Sequence, residues 1–229
     1  MFKELIKAFR KTDALGEMFT QFAEMLQTGR WMFTTAAAVV AKTTPADEVH
    51  DELFTRDRRI NRLERSIRER IMVHLVTDHA QDVGVCLVLM SVVKDAERIG
   101  DYCKNILQIG EMFHGDYSRA EYTHPLGDLT ERIDALFPMV ADAFADAIKD
   151  QSEQAVSKSV IIRKQCDMLL GQLLTPGGAT PPAEAVALAM RARFLKRIAA
   201  HLGNIATSVN NPVPLLDYDG KKPLDEPEG

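Results

Sequence analysis

Glu97 and Asp101 stand four residues apart in a stretch of helical periodicity, so on an α-helix they leave the same face about 6 Å apart along the axis. Two carboxylates held that close repel, and a helix gains nothing from them unless water, a basic partner or a cation neutralises the pair. Asp57 and Asn61 have the same spacing earlier in the chain, with Glu64 further along and beside an apolar stripe. If the two segments pack with these flanks facing, Asp57, Glu97 and Asp101 converge and offer carboxylate oxygens without imidazole or thiolate. Such donors suit hard or borderline cations, Mg²⁺, Mn²⁺, Fe or Ca²⁺, better than a structural zinc. The competing reading is ordinary solvation: acids at this spacing are common on exposed helix faces, and Lys94, Arg98 and Lys104 are near enough to pair with them.

The elements that must position these residues are all helical. Asn-Gly and Asp-Gly hairpin turns are missing from the segments that matter, and no two-residue alternation is sustained. From Asp13 to Ala41 the residues Leu15, Met18, Phe19, Phe22, Leu26 and Phe33 recur at threes and fours, which predicts a first helix. Thr43-Thr44-Pro45 breaks it, and Asp47 and Glu48 favour the start of a second helix that runs to about Val76. There Leu53, Ile60, Leu63, Ile67 and Ile71 make one stripe, opposite Arg56, Arg58, Arg59, Arg62, Arg65 and Glu69. Thr77-Asp78 ends this helix and caps the next, a third from Val83 to about Phe113. A second set follows: Pro125 to Asp150, with Pro138 as a kink, then Ser152 to Leu174, then Glu184 to Val209 after a Pro/Gly-rich break. The proline-rich tail from Asn210 has too little apolar content to pack by itself.

The two sets repeat each other faintly. Glu97-Arg98-Ile99-Gly100-Asp101-Tyr102-Cys103-Lys104-Asn105-Ile106 lies over Lys196-Arg197-Ile198-Ala199-Ala200-His201-Leu202-Gly203-Asn204-Ile205, with Arg, Ile, Asn and Ile coinciding without gaps. Asp57 to Asn61 lies over Arg163 to Asp167 more weakly. The chain is therefore expected to hold two copies of a three-helix unit.

The phrase Glu97-Arg98-Ile99-Gly100-Asp101, preceded by Lys94-Asp95-Ala96 and followed by Asn105-Ile106, resembles the repeat signature of the PhoU family of phosphate-uptake regulators. Asp57-x-x-Ile60-Asn61-x-Leu63-Glu64 is similar to that family's other motif, at the expected place. The resemblance implies an all-α fold of two tandem three-helix bundles: residues 1–117 with intact acidic motifs, residues 118–210 with degenerate ones, and a flexible tail over 211–229. It implies carboxylate-held metal clusters in some members, and a role in phosphate entry through a membrane phosphate transporter and a phosphate-sensing kinase. Carried over by position, the metal ligands are Asp57, Glu97 and Asp101, with Asn61 and Glu64 as weaker candidates; Fe, Zn, Mg and Mn, divalent or trivalent, all remain open. The second repeat departs from the pattern, having Arg163, Lys196 and Ala200 where acids would stand, with only Asp167 left. One metal site in the first half is expected, and in the second a salt bridge from Asp167 to Arg163 or Lys196.

Composition limits the other classes. Lys and Arg number 28 against 33 Asp and Glu, a net charge of −5 that disfavours nucleic acid as a partner. Apolar residues at 46% and charged ones at 27% are usual for a protein with a substantial core. Cys86, Cys103 and Cys166 are widely spaced and read as buried thiols in a reducing, cytoplasmic setting. No export signal is visible, and the longest uncharged stretches, Trp31 to Ala41 and Val83 to Val93, fall short of the ~20 residues needed to cross a membrane. Phe2, Leu5, Ile6 and Phe9 interleave with Lys3, Lys7, Arg10 and Lys11, an amphipathic segment read first as lying on its own bundle and second as a peripheral membrane contact. His201 is read as a packing residue, and the ten methionines as core filler. Glu111-x-x-His114 has no second pair to complete a di-iron bundle. With no phosphate loop, nucleophile elbow or His-Glu-x-x-His, the expectation is a regulatory adaptor and not an enzyme, with a homodimer as its candidate assembly. The alternative is a carboxylate-bridged metal enzyme or metal store.

Overall fold

The computed structural model describes residues 13–77, 80–175 and 180–211, which form six long helices. These are α1 (Asp13–Val40), α2 (Ala46–Val76), α3 (Val83–Met112), α4 (Ala120–Asp146), α5 (Lys149–Leu174) and α6 (Pro182–Thr207), with a short 3-10 turn, Ala80–Asp82, leading into α3. No strand occurs among the described residues. The first three helices make one bundle and the last three another, the expected all-α architecture. The amphipathic segment over residues 2–11, the cap at Asp78 and the tail from residue 212 lie outside the described residues.

The apolar stripes go where their periodicity sends them. Leu53, Ile60, Leu63, Ile67 and Ile71 are at most 3% exposed, while Arg58, Arg59, Arg62 and Arg65 on the far side of α2 face solvent. In α3 the run Val85, Cys86, Val88, Leu89, Val92 and Val93 is buried throughout. The cores of the two bundles are continuous. Phe22 of α1 packs on Phe144 of α4 with ring centroids 4.7 Å apart, and Phe33 on Phe137 at 5.7 Å. Aromatic pairs of this kind add about 0.5–1.5 kcal/mol beyond the area they bury.

The boundaries around α4 differ from the sequence expectation. Helix α4 starts at Ala120 and not at Pro125, because the Arg119 carbonyl accepts from the N–H groups of Tyr122 and Thr123 and so begins the helix before the proline is reached. It stops at Asp146, where Ala147 turns left-handed at φ 50°, and α5 begins at Lys149, ahead of the expected Ser152. Pro125 and Pro138 both sit inside α4. The link between the bundles is held from α6: the buried Glu184 carboxylate accepts from Ser118 N at 2.7 Å, Ser118 Oγ at 2.7 Å and Arg119 N at 3.1 Å.

Close approach of α1 to α3 depends on Gly110, where an added Cβ would stand 2.6 Å from Val39 Cγ1. That contact fixes the end of α3 and hence the position of the acidic motif two turns and more upstream.

Candidate functional site

The acidic motifs lie on the seam between α2 and α3. Gly100 makes the approach possible: a Cβ there would be 3.3 Å from Ile60 Cδ1 and 3.5 Å from Asp57 Oδ1, so the glycine lets Asp57 settle onto the backbone of α3. Asp57 is 7% exposed. It occupies a place in the buried stripe between Leu53 and Ile60, and an acid there must find a counter-charge within the fold.

Lys104 supplies it. Its Nζ lies 2.8 Å from Asp57 Oδ2 and 2.9 Å from Asp101 Oδ1, joining the two helices through one ammonium. Asn61 Nδ2 donates to Asp57 Oδ2 at 3.3 Å. Arg98 Nη1 lies 3.0 Å from Asp101 Oδ2, and Arg98 Nε 3.6 Å from Glu97 Oε2. Glu64 is drawn off to Arg68, 2.9 Å away. The structure thus brings Asp57, Asn61 and Asp101 together and keeps Glu97 alongside, while Glu64 pairs with Arg68 and remains near enough to Glu97 to disfavour its charge.

The electrostatics follow from burial and these contacts. Burial pushes the Glu97 carboxyl above its usual range; the negative Asp101 adds to this and Arg98 opposes it. For Lys104 burial works against the charge, but hydrogen bonds to Asp57 and Asp101 outweigh it and the ammonium is held above its usual value. All three cysteines are free and buried, as expected. Burial, with nearby Asp82 adding, raises the Cys86 thiol to about 11, and burial with Asp167 raises Cys166 to about 12, so neither offers a thiolate ligand or nucleophile near neutrality.

Among the described residues no group of three or more His, Cys, Asp or Glu is placed to hold a metal ion. The seam's oxygens are turned onto an ammonium and a guanidinium, and a metal would have to displace Lys104 to reach Asp57 and Asp101 together. As arranged, the residues do not fit a bound ion.

In the second bundle Lys196 Nζ of α6 lies 2.5 and 2.7 Å from the two oxygens of Asp167 on α5, the charge pair that the degenerate motif predicts. His201 turns away from that pair and crosses to α3, where its Nδ1 is 2.7 Å from Asp95 Oδ1. Sequence reading missed Asp95, although a signal existed: Val88, Val92, Asp95 and Ile99 share one buried face at steps of four, three and four, so the acid occupies a core position. Arg191 stands in the buried face of α6 between Leu188 and Leu195 in the same way, donating to Thr130 Oγ1 at 3.3 Å. Glu111, set aside as half of an incomplete pattern, bonds His50 Nδ1 at 2.6 Å.

A groove of 580 Å³ opens between the C-terminal part of α3 and the N-terminal part of α6, lined among others by Ile109, Met112, Phe113, Val186, Met190 and Phe194. Met112, Val186 and Met190 are 77%, 58% and 44% exposed.

Residues 22–110, the greater part of the first bundle, match the family model of the PhoU domain. No curated protein matches the chain. Among solved structures, PhoU from Pseudomonas aeruginosa is similar with a TM-score of 0.76 at 21% identity, over 86% of this chain and 95% of that one. The phosphate transport system regulatory protein PhoU from Streptococcus pneumoniae is similar with a TM-score of 0.71 at 16% identity, over the same shares. At such identities the likeness is one of fold, and it extends across both bundles. Residues 22–110 are a domain of the PhoU family, and the chain as a whole has the PhoU fold.

Proposed function

We propose that this chain is a regulatory or accessory protein of phosphate uptake, acting by contact with a membrane phosphate transporter or with the phosphate-sensing kinase that answers to it. The observation that carries this is the PhoU domain over residues 22–110, set in a fold shared with a protein named for regulating phosphate transport. The chemistry agrees with contact and not catalysis. Seam carboxylates are engaged by Lys104 and Arg98, the thiols are buried, and the buried imidazoles of His74 and His201 each rest on a carboxylate, His74 Nε2 at 2.6 Å from Asp82 Oδ2. What the surface offers is the open apolar groove between α3 and α6, of a kind that receives a partner's apolar side chains.

A cytoplasmic placement and a homodimeric assembly belong to the same proposal. No helix among the described residues is long and apolar enough to cross a membrane. The test is deletion of the coding sequence followed by measurement of phosphate uptake and of a phosphate-responsive reporter, with complementation by the intact chain and by a Val186→Asp, Met190→Asp variant. Loss of phosphate control restored by the intact chain and not by the folded variant is the expected result. Uptake and reporter unchanged by deletion would refute the function.

A further inference from the structure

The two bundles clamp their second and third helices by one device with different donors. In the first, Lys104 of α3 reaches Asp57 of α2 at 2.8 Å; in the second, Lys196 of α6 reaches Asp167 of α5 at 2.5 and 2.7 Å. The lysines do not correspond in the repeat. Lys104 lies over Gly203, and Lys196 over Glu97. Each bundle nonetheless has an acid on the second helix and an ammonium on the third, which is what a helix pair with a carboxylate on its seam needs in order to pack.

We propose that Lys104 and Lys196 are the resident cations of the two seams, and that the chain folds and keeps its shape without a metal ion at either place. This departs from what the family resemblance implies, and it does not rest on the proposed function.

Three features support it. Asp57 is almost fully buried, so its counter-charge must be present whenever the fold is, and Lys104 belongs to the same chain and is always available. Lys104 also stands three residues beyond Asp101 on the same face of α3, so one ammonium reaches Asp101 along its own helix and Asp57 across the seam. Finally, each of the three carboxylates already has a cation of the chain beside it: Lys104 lies 2.8 Å from Asp57 and 2.9 Å from Asp101, and Arg98 lies 3.0 Å from Asp101 and 3.6 Å from Glu97. The ammonium, moreover, is reachable. Together with Phe54, Arg98, Asp101, Tyr102 and Asn105 it lines an open hollow of 460 Å³, so removing it would expose Asp57 and Asp101 to cations from solution.

The full-length chain, stripped with EDTA and dialysed against Mn²⁺ or Zn²⁺, is separated from free metal and analysed for bound metal, with Tm recorded in EDTA and in excess metal. The wild type is expected to retain no stoichiometric metal and to melt at the same temperature in both buffers. Lys104→Met is expected to melt lower than wild type in EDTA, to take up one equivalent of Mn²⁺, and to recover part of its Tm with it; adding Asp101→Asn abolishes the uptake. A wild-type chain that retains one equivalent, lost on Asp101→Asn, overturns the proposal. So does a folded Lys104→Met chain, judged by its helical circular dichroism, that binds no Mn²⁺. The wild-type measurement decides the matter even if that variant fails to fold.

Discussion

Asp95 of α3 and His201 of α6 meet across the seam between the bundles, His201 Nδ1 lying 2.7 Å from Asp95 Oδ1, with Asn204 Nδ2 donating to the same oxygen at 3.2 Å. Tyr102 stacks on the imidazole at a centroid distance of 5.7 Å, and its hydroxyl accepts from Arg197 Nε at 3.1 Å. Asp95 is 1% exposed, so this polar contact is made inside a mainly apolar interface. Contacts of that kind are costly to break, since the group left behind is buried without a partner.

Asp95→Ala should therefore destabilise the chain by about 1–3 kcal/mol, the usual scale for leaving a buried polar partner without its hydrogen bond. His201→Ala should cost less once Asp95 is already gone, with a coupling of roughly 0.5–3 kcal/mol in a double-mutant cycle. Urea denaturation of the four chains measures this. Strict additivity would mean that the Asp95–His201 contact itself adds nothing to the hold between the bundles.

Glu97 should cost stability at neutral pH. Burial raises its carboxyl, so the folded chain binds that proton more tightly than the unfolded chain does. The sign follows: this group's contribution is full below its unfolded pKa of about 4.3 and is lost as pH rises through the higher folded value. Glu97→Gln should consequently melt above wild type at pH 7, with the gap closing as pH is lowered toward 4. A variant that melts below wild type at pH 7 would show that the Glu97 charge is needed, as it would be for an ion ligand.

The six helices and most of their ends were legible because long apolar stripes at steps of three and four leave little choice of buried face. The acids of the candidate site were legible from the four-residue spacing of Glu97 and Asp101 and of Asp57 and Asn61, and Asp57 also interrupts the buried stripe between Leu53 and Ile60. What pairs with them was harder to read. Lys104 was one of several basic residues within reach of Asp101, and periodicity does not say which will fold back onto α2; that depends on the approach allowed by Gly100. Asp95 and His201 lie 106 residues apart, and no local pattern links an acid in one repeat to an imidazole in the other. The start of α4 differs from the expected Pro125 because the Arg119 carbonyl begins the helix more than a turn earlier, through bonds that no apolar period marks.

Arg30 and Asp134 bind α1 to α4 through two parallel hydrogen bonds of 2.7 and 2.8 Å. The bond from Arg30 holds the Asp134 carboxyl below its usual value, against the opposing effect of burial. A depressed acid contributes stability above its unfolded pKa of about 3.9, and that contribution is lost as pH falls through the folded value. Both side chains are partly exposed, which limits the pair to about 1 kcal/mol or less. Asp134→Asn should lower stability by that amount at pH 7, and the difference should shrink as pH falls below the ordinary aspartate range toward the depressed folded value, where the native carboxylate takes up its proton. A difference that persists unchanged at low pH would assign the effect to packing.

Gly110→Ala tests the α1–α3 contact that positions the acidic motif. Alanine gains up to about 1 kcal/mol over glycine inside a helix, so the substitution should stabilise wherever there is room. Here there is none: the new Cβ would lie 2.6 Å from Val39 Cγ1 and 3.3 Å from the backbone at Val39 and Val40. Valine is stiff about χ1 in a helix, so the last turn of α1 has to move, at an overpacking cost of about 1–3 kcal/mol. The net effect should be destabilising, read as a lower urea midpoint at unchanged slope. Gly127→Ala is the control, because no atom lies within 4 Å of its added Cβ, and it should raise the midpoint. If both substitutions stabilise, α1 and α3 are farther apart than the structure places them, and the position of Asp57 against Asp101 and Lys104 would have to be reconsidered with them.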